Sequence, residues 1–235
     1  MSPDLAHALK VERHPERAVA DRDVAHAILD EGLICHVGFV ADGRPWVIPM
    51  MYARDGERLY LHGSPASRML RSLAVGIDVS VTVTLIDALV LARSAFSHSM
   101  NYRSVVIAGT ATEVSDLDAK LAAMRCLVEH VLPGRWAEVR GPSDKEIAAT
   151  IVLSLPLDHV STKVRTGPPI DVTADRTLPI WAGEVPLSVE AGVPRADALA
   201  TDLAPPPSVS DALTHRRGRI APHADGQSQT PERVS

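Results

Sequence analysis

The chain has 235 residues, of which 46% are hydrophobic, and a formal net charge of −5 at pH 7. This length suits one domain with extensions, and the apolar content is sufficient for a buried core. The acidic balance, with no Lys/Arg run in the body of the chain, argues against nucleic-acid binding, and no apolar run is long enough to span a membrane.

The two cysteines, Cys35 and Cys126, lie in separate apolar segments. Two isolated thiols provide neither a disulfide framework nor a zinc-ligand spacing, so we expect both to be buried and reduced. No set of His, Cys and carboxylate residues has the spacing of a metal site. The first residues are polar and lack a hydrophobic signal core, so we expect a cytoplasmic protein.

The first elements are predicted to be a polar arm over residues 1–20 and a short helix over 24–31. Asp21 or Asp23 can cap this helix, and Gly32 ends it. Two Asp-Gly pairs, at 42–43 and 55–56, are strong hairpin signals. They predict a three-strand meander over residues 33–41, 44–53 and 59–61. Pro49 interrupts the second strand, which indicates an edge strand or a bulge.

The stretch 58–70 combines the end of a strand with the start of a helix. Gly63 breaks the strand, Ser64 is a good N-cap and Pro65 a good first helical residue, so we predict a helix over 65–73. Ser67 and Arg68 would then lie in its first turn. Free N–H groups, two hydroxyls and a guanidinium together favour an anion, and a phosphate best of all. The alternative is a capped surface helix with a solvated arginine.

The second half is predicted to be mainly β. Strands are expected over residues 77–85, 89–92, 102–114, 151–157 and 159–165, and helices over 116–131 and 144–150. Gly109 indicates a bulge or a close approach, and residues 94–102 form a polar loop. The hairpin-rich order predicts an antiparallel barrel with peripheral helices, over a domain of residues 21–187. Residues 179–187 can dock on it, whereas residues 188–235, which are Pro/Ser-rich from Pro205 onward, are predicted to be a disordered tail.

Three segments, residues 43–68, 94–111 and 179–187, together resemble the flavin-binding split-barrel superfamily of pyridoxamine 5'-phosphate oxidase. Within it, the chain resembles the nitroimidazole-resistance-like branch most. The resemblance covers roughly residues 21–187. It implies a six-stranded split β-barrel over 33–165 and a homodimer that binds the cofactor FMN at the subunit interface.

The resemblance also implies which residues bind FMN. One strand is expected to run along the isoalloxazine ring, whose N3, O2 and O4 atoms need backbone donors and acceptors. Hydroxyl and guanidinium groups would hold the phosphate, a polar pair would touch the ring, and a late tryptophan would pack on the flavin edge. The ring strand is Val47, Ile48, Pro49 and Met50, the phosphate pair is Ser67 and Arg68, the polar pair is Arg103 and Ser104, and the late tryptophan is Trp181. Ser64, from the anion site described above, is added to the cofactor-binding residues. For Trp181, a docking anchor without a cofactor is the alternative.

His62 and His98 are the candidate catalytic residues. His62 follows the strand that leads into the phosphate turn, and an imidazole near the flavin can donate a proton to a reduced substrate. His98 lies in the polar loop, where it can line the substrate side. A turn histidine and a solvated loop histidine are the corresponding structural interpretations. His36 lies within an apolar strand, where a satisfied core residue is expected.

Three hypotheses follow for the function. The first is an FMN-dependent oxidoreductase that acts on a small electron-poor molecule such as a nitroaromatic. The second is a split-barrel protein that binds a deazaflavin, or haem with His36, His62 or His98 as axial ligand; the third is a non-catalytic flavin-binding protein. The Arg-rich C-terminal signature of the true oxidase is missing after Trp181, which argues against pyridoxamine phosphate as substrate. No GxGxxG motif is present, so a nicotinamide donor would bind transiently or be replaced by a partner reductase.

Overall fold

Antiparallel strands form most of the structure, a computed structural model that describes residues 9–217, with the backbone but not the side chain of Arg68 and of residues 213–217. The described strands are β1 Ala18–Val19, β2 Ile34–Ala41, β3 Arg44–Asp55, β4 Arg58–Gly63, β5 Asp78–Leu91, β6 Ser99–Thr110, β7 Thr112–Glu113, β8 Ile151–Pro156, β9 His159–Arg165 and β10 Gly183–Pro186. The α-helices are α1 Arg22–Glu31, α2 Arg68–Ala74, α3 Leu117–Val131, α4 Asp144–Ala148 and α5 Pro207–Arg217. Short 3-10 helices lie at Pro15–Arg17, Ala95–Ser97, Arg135–Glu138 and Thr173–Thr177.

The strands follow the order β1-β9-β6-β5-β2-β3-β4-β8-β7, and β10 pairs with β5. Every ladder is antiparallel, the sheet is not closed, and the helices are few, which confirms the predicted class of a mainly β split barrel with peripheral helices. The described sheet has ten strands rather than the six expected. The additional strands include β1, β7 and β10, which are only two to four residues long and too short for side-chain alternation to reveal. Residues 183–186, within the segment 179–187 that is predicted to dock, form β10 and pair with β5.

Strand β5 corrects one prediction. The sequence predicts two strands separated at Asp87, but the structure has a single strand of 14 residues whose pairing with β6 shifts between Ile86 and Ala88. Asp87 is therefore a bulge residue, and the ladder continues on both sides of it. Gly109 lies in regular register with Val79, so the predicted bulge there is wrong. The close approach is confirmed, since a Cβ on Gly109 would lie 3.2 Å from Leu155 Cδ1.

The hydrophobic core lies between the inner faces of the sheet and two helices. Alternate residues of the central strands are buried, such as Val81 and Val83 on β5. Helix α1, which Asp21 caps as predicted, contributes Ile28 and Leu29, and α2 contributes Leu70 and Leu73. Cys35 is buried within this core, and burial raises the pKa of its thiol to about 12. Cys126 is only half-buried, and both thiols are free.

The chain divides into two compact units, Met1–Leu187 and Ser188–Ser235. The first unit contains the whole sheet and helices α1 to α4. In the described part of the second unit, α5 spans Pro207–Arg217, inside the stretch that was expected to be a disordered tail. Within the described residues, no helix is long and apolar enough to cross a membrane.

Candidate functional site

The first half of β3 has strand partners on one side only. Residues 44–51 of β3 pair with β2, whereas β4 pairs with β3 only along 52–55. In the part of the chain that the structure describes, no other strand pairs with the second side of 44–51. This segment therefore presents backbone donors and acceptors that no ladder uses. Pro49 lies in regular register with His36, so the predicted edge is confirmed and the alternative of a bulge is not needed.

The four residues predicted to lie along a flavin ring alternate between two faces of this edge. Ile48 and Met50 pack against the core. Val47 and Pro49 point the other way and are exposed, Val47 to 67%. A flat molecule placed against this edge would therefore meet mainly backbone, with apolar side chains above and below it.

A turn, and not a helix, follows Gly63. The backbone N–H of Ala66 donates to Ser64 Oγ (3.1 Å), and that of Ser67 donates to the Ser64 carbonyl (2.9 Å). Helix α2 begins only at Arg68, and Ser67 caps it by accepting a hydrogen bond from the Leu70 N–H (3.4 Å). The predicted helix start at Pro65 and the predicted cap at Ser64 are therefore wrong. Serine and proline suit a β-turn as well as a helix start, so the local sequence does not separate the two.

Ser67 and Ile48, two of the predicted cofactor residues, line the same cavity. The cavity has a volume of about 180 Å³ and is also lined by Phe39, Trp46 and Met69. Phe39 and Trp46 are cross-strand partners in the hairpin of β2 and β3. Ser64 is exposed and does not line it, and the Arg68 side chain lies outside what the structure describes. Sequence reasoning missed the two aromatic residues and Met69, although the Asp42-Gly43 turn fixes a register in which Phe39 faces Trp46.

His62 lies where β3 and β4 separate. The last ladder pair between these strands is Tyr52 with Leu61, so His62 is the first residue of β4 beyond it. Leu61 is fully buried in the core, and alternation turns His62 to the opposite face, as predicted. The imidazole is half-buried, its Nδ1 is buried without a hydrogen-bond partner in the described part of the chain, and burial lowers its pKa. His62 therefore lies just beyond the last β3–β4 pair, on the face of β4 opposite the core, where it pairs with Val152 of β8.

The other two histidines considered as ligands or catalytic residues, His98 and His36, lie at the surface. His98 follows the 3-10 helix Ala95–Ser97, and its Nδ1 lies 2.9 Å from the Ser94 carbonyl, which leaves Nε2 exposed. The neighbouring Phe96 is 98% exposed. His36 is exposed on β2, opposite Pro49, so the expectation of a satisfied core residue is wrong. The apolar composition of β2 concealed that one of its two faces is open.

Arg103 is held by two carboxylates. Its guanidinium donates to Glu31 (2.6 and 2.9 Å) and to Asp87 (2.7 and 3.0 Å), and the hydrogen bonds to Glu31 and then to Asp87 raise its pKa. These contacts join helix α1 to the bulge of β5. These contacts satisfy the hydrogen-bonding groups of the Arg103 guanidinium without a ligand. The contact of Arg103 with flavin stays a prediction. Its neighbour Ser104 is half-buried on the other face of β6.

Trp181 precedes β10 and is 66% exposed. Its ring lies so close to Gly183 that a Cβ at that position would be 3.0 Å from the indole. A larger residue at 183 would displace the ring. Gly183 therefore leaves room for the indole in this position, and the Trp181 side chain is largely exposed.

A model of a protein family described as pyridoxamine 5'-phosphate oxidase matches residues 21–164. Among solved structures, the flavocytochrome Anf3 from Azotobacter vinelandii is 37% identical, with a TM-score of 0.82 over 90% of this chain and 97% of that chain. An FAD- and haem-binding protein from Mycobacterium smegmatis is 38% identical, with a TM-score of 0.80 over 83% of this chain and 97% of that chain.

A third solved structure shows only the fold. It is a putative 5-nitroimidazole antibiotic resistance protein from Bacteroides thetaiotaomicron, 24% identical, with a TM-score of 0.53 over 63% of this chain and 86% of that chain. None of the curated proteins matches the chain.

Proposed function

Because the chain belongs to the pyridoxamine 5'-phosphate oxidase family, we propose that it is a flavin-dependent oxidoreductase whose flavin lies along the unpaired edge of β3. The observation that carries the proposal is this edge, which adjoins a cavity lined by Ile48 and Ser67. A flavin ring needs both donors and acceptors, and residues 44–51 offer both from the backbone.

Different residues around the edge would bind different parts of the flavin. Val47 and Pro49 would cover one face of the ring, while backbone groups of 44–51 meet its polar rim. Ser67 retains its hydroxyl proton for an anion, since its hydrogen bond from the Leu70 N–H uses only a lone pair of Oγ. Arg68, the first residue of α2, is the proposed cation for the phosphate. When bound, the flavin supplies the electron and hydride chemistry.

His62 is the proposed proton donor for the reduced substrate. It lies just beyond the last β3–β4 pair, on the face opposite the core, and its buried Nδ1 has no hydrogen-bond partner among the described residues. Since burial lowers its pKa, the imidazole is mainly neutral at pH 7 and becomes an effective acid only as the pH falls. His98 is the second candidate for the same role.

A homodimer is the proposed assembly. Several apolar side chains of β2 and β3 on the face opposite the core are exposed, namely Ile34, Val40 and Val47. A second copy of the chain would cover this face together with the flavin. The proposal of a small, electron-poor substrate such as a nitroaromatic rests on the sequence resemblance alone.

The absorbance spectrum of the purified protein tests this function. Bands in the blue and near-ultraviolet, followed by chromatographic identification of the extracted cofactor, would identify FMN, FAD or a deazaflavin. Reduction of a nitroaromatic by a reduced nicotinamide, with the flavin-loaded protein as catalyst, would separate an enzyme from a flavin-storage protein. A colourless protein that takes up no flavin would contradict the proposal.

Haem binding in addition to flavin is a second candidate function. The specific support is the pair of solved structures 37–38% identical to this chain, a flavocytochrome and an FAD- and haem-binding protein. Two histidines have the chemistry of an axial ligand. The Nδ1 of His98 is bound to a backbone carbonyl, an arrangement that orients Nε2 toward a metal, and the Nδ1 of His62 has no hydrogen-bond partner within residues 9–217 as described. A bound haem would supply one-electron chemistry.

A Soret band after loading with haem tests this second function. Replacing the ligand should shift the band or abolish uptake, so His98→Ala and His62→Ala identify which histidine binds the iron. A protein that takes up flavin but no haem would leave the first function standing alone.

A further inference from the structure

We propose that the outward face of β2, β3, β5 and β6 is the contact surface for a second copy of this chain, and that His36, at its centre, makes the association depend on pH. This inference rests on the proposed homodimer. It adds to that assembly the extent of the contact surface and the group that regulates it.

The outward face of these four strands is uncharged over a wide area. Register and side-chain alternation define three successive outward positions on each strand. Charged residues make up 23% of the chain, yet none lies at these twelve positions. The positions are Ile34, His36 and Gly38 on β2; Val47, Pro49 and Met51 on β3; Ser80, Thr82 and Thr84 on β5; and Ser104, Val106 and Ala108 on β6. A sheet face that only meets water is usually polar, so this composition favours a face that a partner covers.

Charged and titratable groups begin at the border of this uncharged face. Asp78 lies at the start of β5, where its carboxylate accepts a hydrogen bond from the Thr110 hydroxyl (3.0 Å). Strand β9, the neighbour of β6, brings His159 and Lys163 to the opposite border. The Lys163 ammonium donates to the Arg13 carbonyl (3.4 Å). An uncharged centre with a polar, charged rim is the usual composition of a protein interface.

A second copy of the chain is the partner that suits this face. In a symmetric dimer the same surface meets itself, so a charge near the axis would approach its own copy. An uncharged face avoids this repulsion. Gly38, Ser80 and Ala108 lie side by side and are small, so two sheets can approach closely there. Ile34 and Val47, which are 50% and 67% exposed, provide apolar area that association would bury.

His36 is the one titratable side chain among the twelve positions. It is exposed, with Pro49 of β3 and Thr82 of β5 directly opposite. The other positions around it hold no carboxylate that could compensate a positive charge, and a second copy would present the same uncharged face. Covering His36 would remove it from water, which disfavours a charged imidazolium far more than a neutral imidazole. Association should therefore release protons.

The direction of the pH dependence follows from this linkage. Because the dimer binds fewer protons than two monomers, the dimer dissociation constant should be constant at high pH and should rise as the pH falls below about 6.5. Two copies of His36 enter each dimer. The rise can therefore reach about a hundredfold per pH unit, a factor of ten for each proton.

Sedimentation velocity of the flavin-saturated protein at about pH 7.5 and about pH 5.5 tests the proposal. The dissociation constant of the wild type should be at least about tenfold higher at the lower pH. His36→Gln should remove most of this rise, because glutamine stays polar but binds no proton. His98→Gln is the matched control, an exposed histidine outside the uncharged face, and should keep the rise.

A second variant tests the surface itself. Thr82→Lys places a charge beside His36 at the centre of the uncharged face, so it should weaken association at both pH values. Its thermal stability should match that of the wild type measured as a monomer by dilution, since Thr82 lies on the face opposite the core.

Three results would overturn the proposal. Equal dissociation constants of the wild type at the two pH values would show that association releases no protons. A full pH dependence in His36→Gln would assign the protons to another group. Wild-type association of a folded Thr82→Lys protein would place the contact elsewhere. A wild type that is monomeric at every pH would remove the proposed homodimer together with this inference, whereas the proposed flavin site is judged separately, by the absorbance spectrum.

Discussion

Strands β3 and β4 are paired at one end and apart at the other, and the two ends differ in side-chain burial and in the hydrogen bonding of their polar groups. In the paired half, Tyr52, Leu59 and Leu61 are fully buried, and the Tyr52 hydroxyl donates to the Leu29 carbonyl at 2.7 Å. In the open half, Trp46 and Val47 are exposed, and one ring nitrogen of His62 has no hydrogen-bond partner among the residues that the structure describes. The paired half thus holds the strands in place, and the polar groups left by the separation are available to a ligand.

The largest expected effect lies in the paired half. Leu61→Ala should lower the free energy of unfolding by about 2–5 kcal/mol, because it leaves a cavity in a packed core. Val47→Ala, in the open half, should change it by at most about 0.5 kcal/mol, since little surface is buried there. Urea denaturation of both variants without cofactor measures the two effects. Equal losses would show that the two halves are not different in stability.

The next largest effect concerns cofactor affinity. Arg68→Ala should weaken flavin binding by about 2–3 kcal/mol, or roughly 30- to 150-fold, because it removes a charge-assisted contact with the phosphate. Arg71→Ala is the matched variant, an exposed arginine one turn further along the same helix, and should leave the affinity unchanged. If both variants bind flavin as the wild type does, the phosphate lies elsewhere.

His62→Gln tests the proposed role of His62 as proton donor, where β3 and β4 separate. Reduction of a nitroaromatic by the flavin-loaded variant should be at least about tenfold slower, because glutamine keeps a hydrogen bond but carries no proton. The wild-type rate should rise as the pH falls below about 6.5, and the variant should lack this rise, since burial lowers the pKa of His62. An unchanged rate would make His62 structural and turn attention to His98, whereas loss of flavin would make His62 a cofactor contact.

The pH dependence of folding stability provides a second test of the burial of His62. The pKa of His62 is lower in the folded chain than in the unfolded chain, so protons bind the unfolded chain more readily. Below about pH 6.5, the wild type should therefore lose stability relative to His62→Gln, and above that pH the difference should stay constant. Denaturation curves at several pH values measure this, and a constant difference throughout would mean that His62 is not desolvated.

A smaller effect is expected at Arg103, where a variant can show whether the side chain serves folding stability or flavin binding. Arg103→Leu should lower stability by about 1–2 kcal/mol, because it leaves Glu31 and Asp87 without their cation in a partly solvated place. Flavin affinity should stay unchanged if the ion pairs are its whole role. A large loss of affinity in a stable variant would support the flavin contact that the family resemblance implies.

The sequence was most informative where local chemistry decides the structure. Asp42 and Gly43 both have positive φ values, 52° and 70°, as the Asp-Gly hairpin signal requires, and the register of β2 with β3 follows from this turn. Side chains alternate between the two faces of a strand, and this local rule predicted that Leu61 is buried and that His62 faces the other way. Helix α3 begins after Asp116, close to the bounds that its periodicity predicts.

Features that depend on distant partners were not predictable. Asp87 looked like a strand end because nothing local shows that Arg103 compensates its charge and that β6 continues the ladder. Ser64 and Ser67 are equally good caps by residue type, and the turn that precedes α2 decides between them. The cavity combines Phe39 and Trp46 from a hairpin with Met69 from a helix, so it exists only after the helix docks.

Hydrogen–deuterium exchange of the backbone, with and without flavin at the same oligomeric state, tests the central claim most directly. Within residues 46–51, where Pro49 has no amide hydrogen, the amides that face away from β2 should exchange more slowly when flavin is bound, because the open edge of β3 then gains partners. The amides of residues 52–55 should be protected in both states, since β4 already pairs with them. Unchanged exchange over 46–51 in a flavin-loaded sample, with new protection only elsewhere, would contradict the placement of the cofactor on this edge.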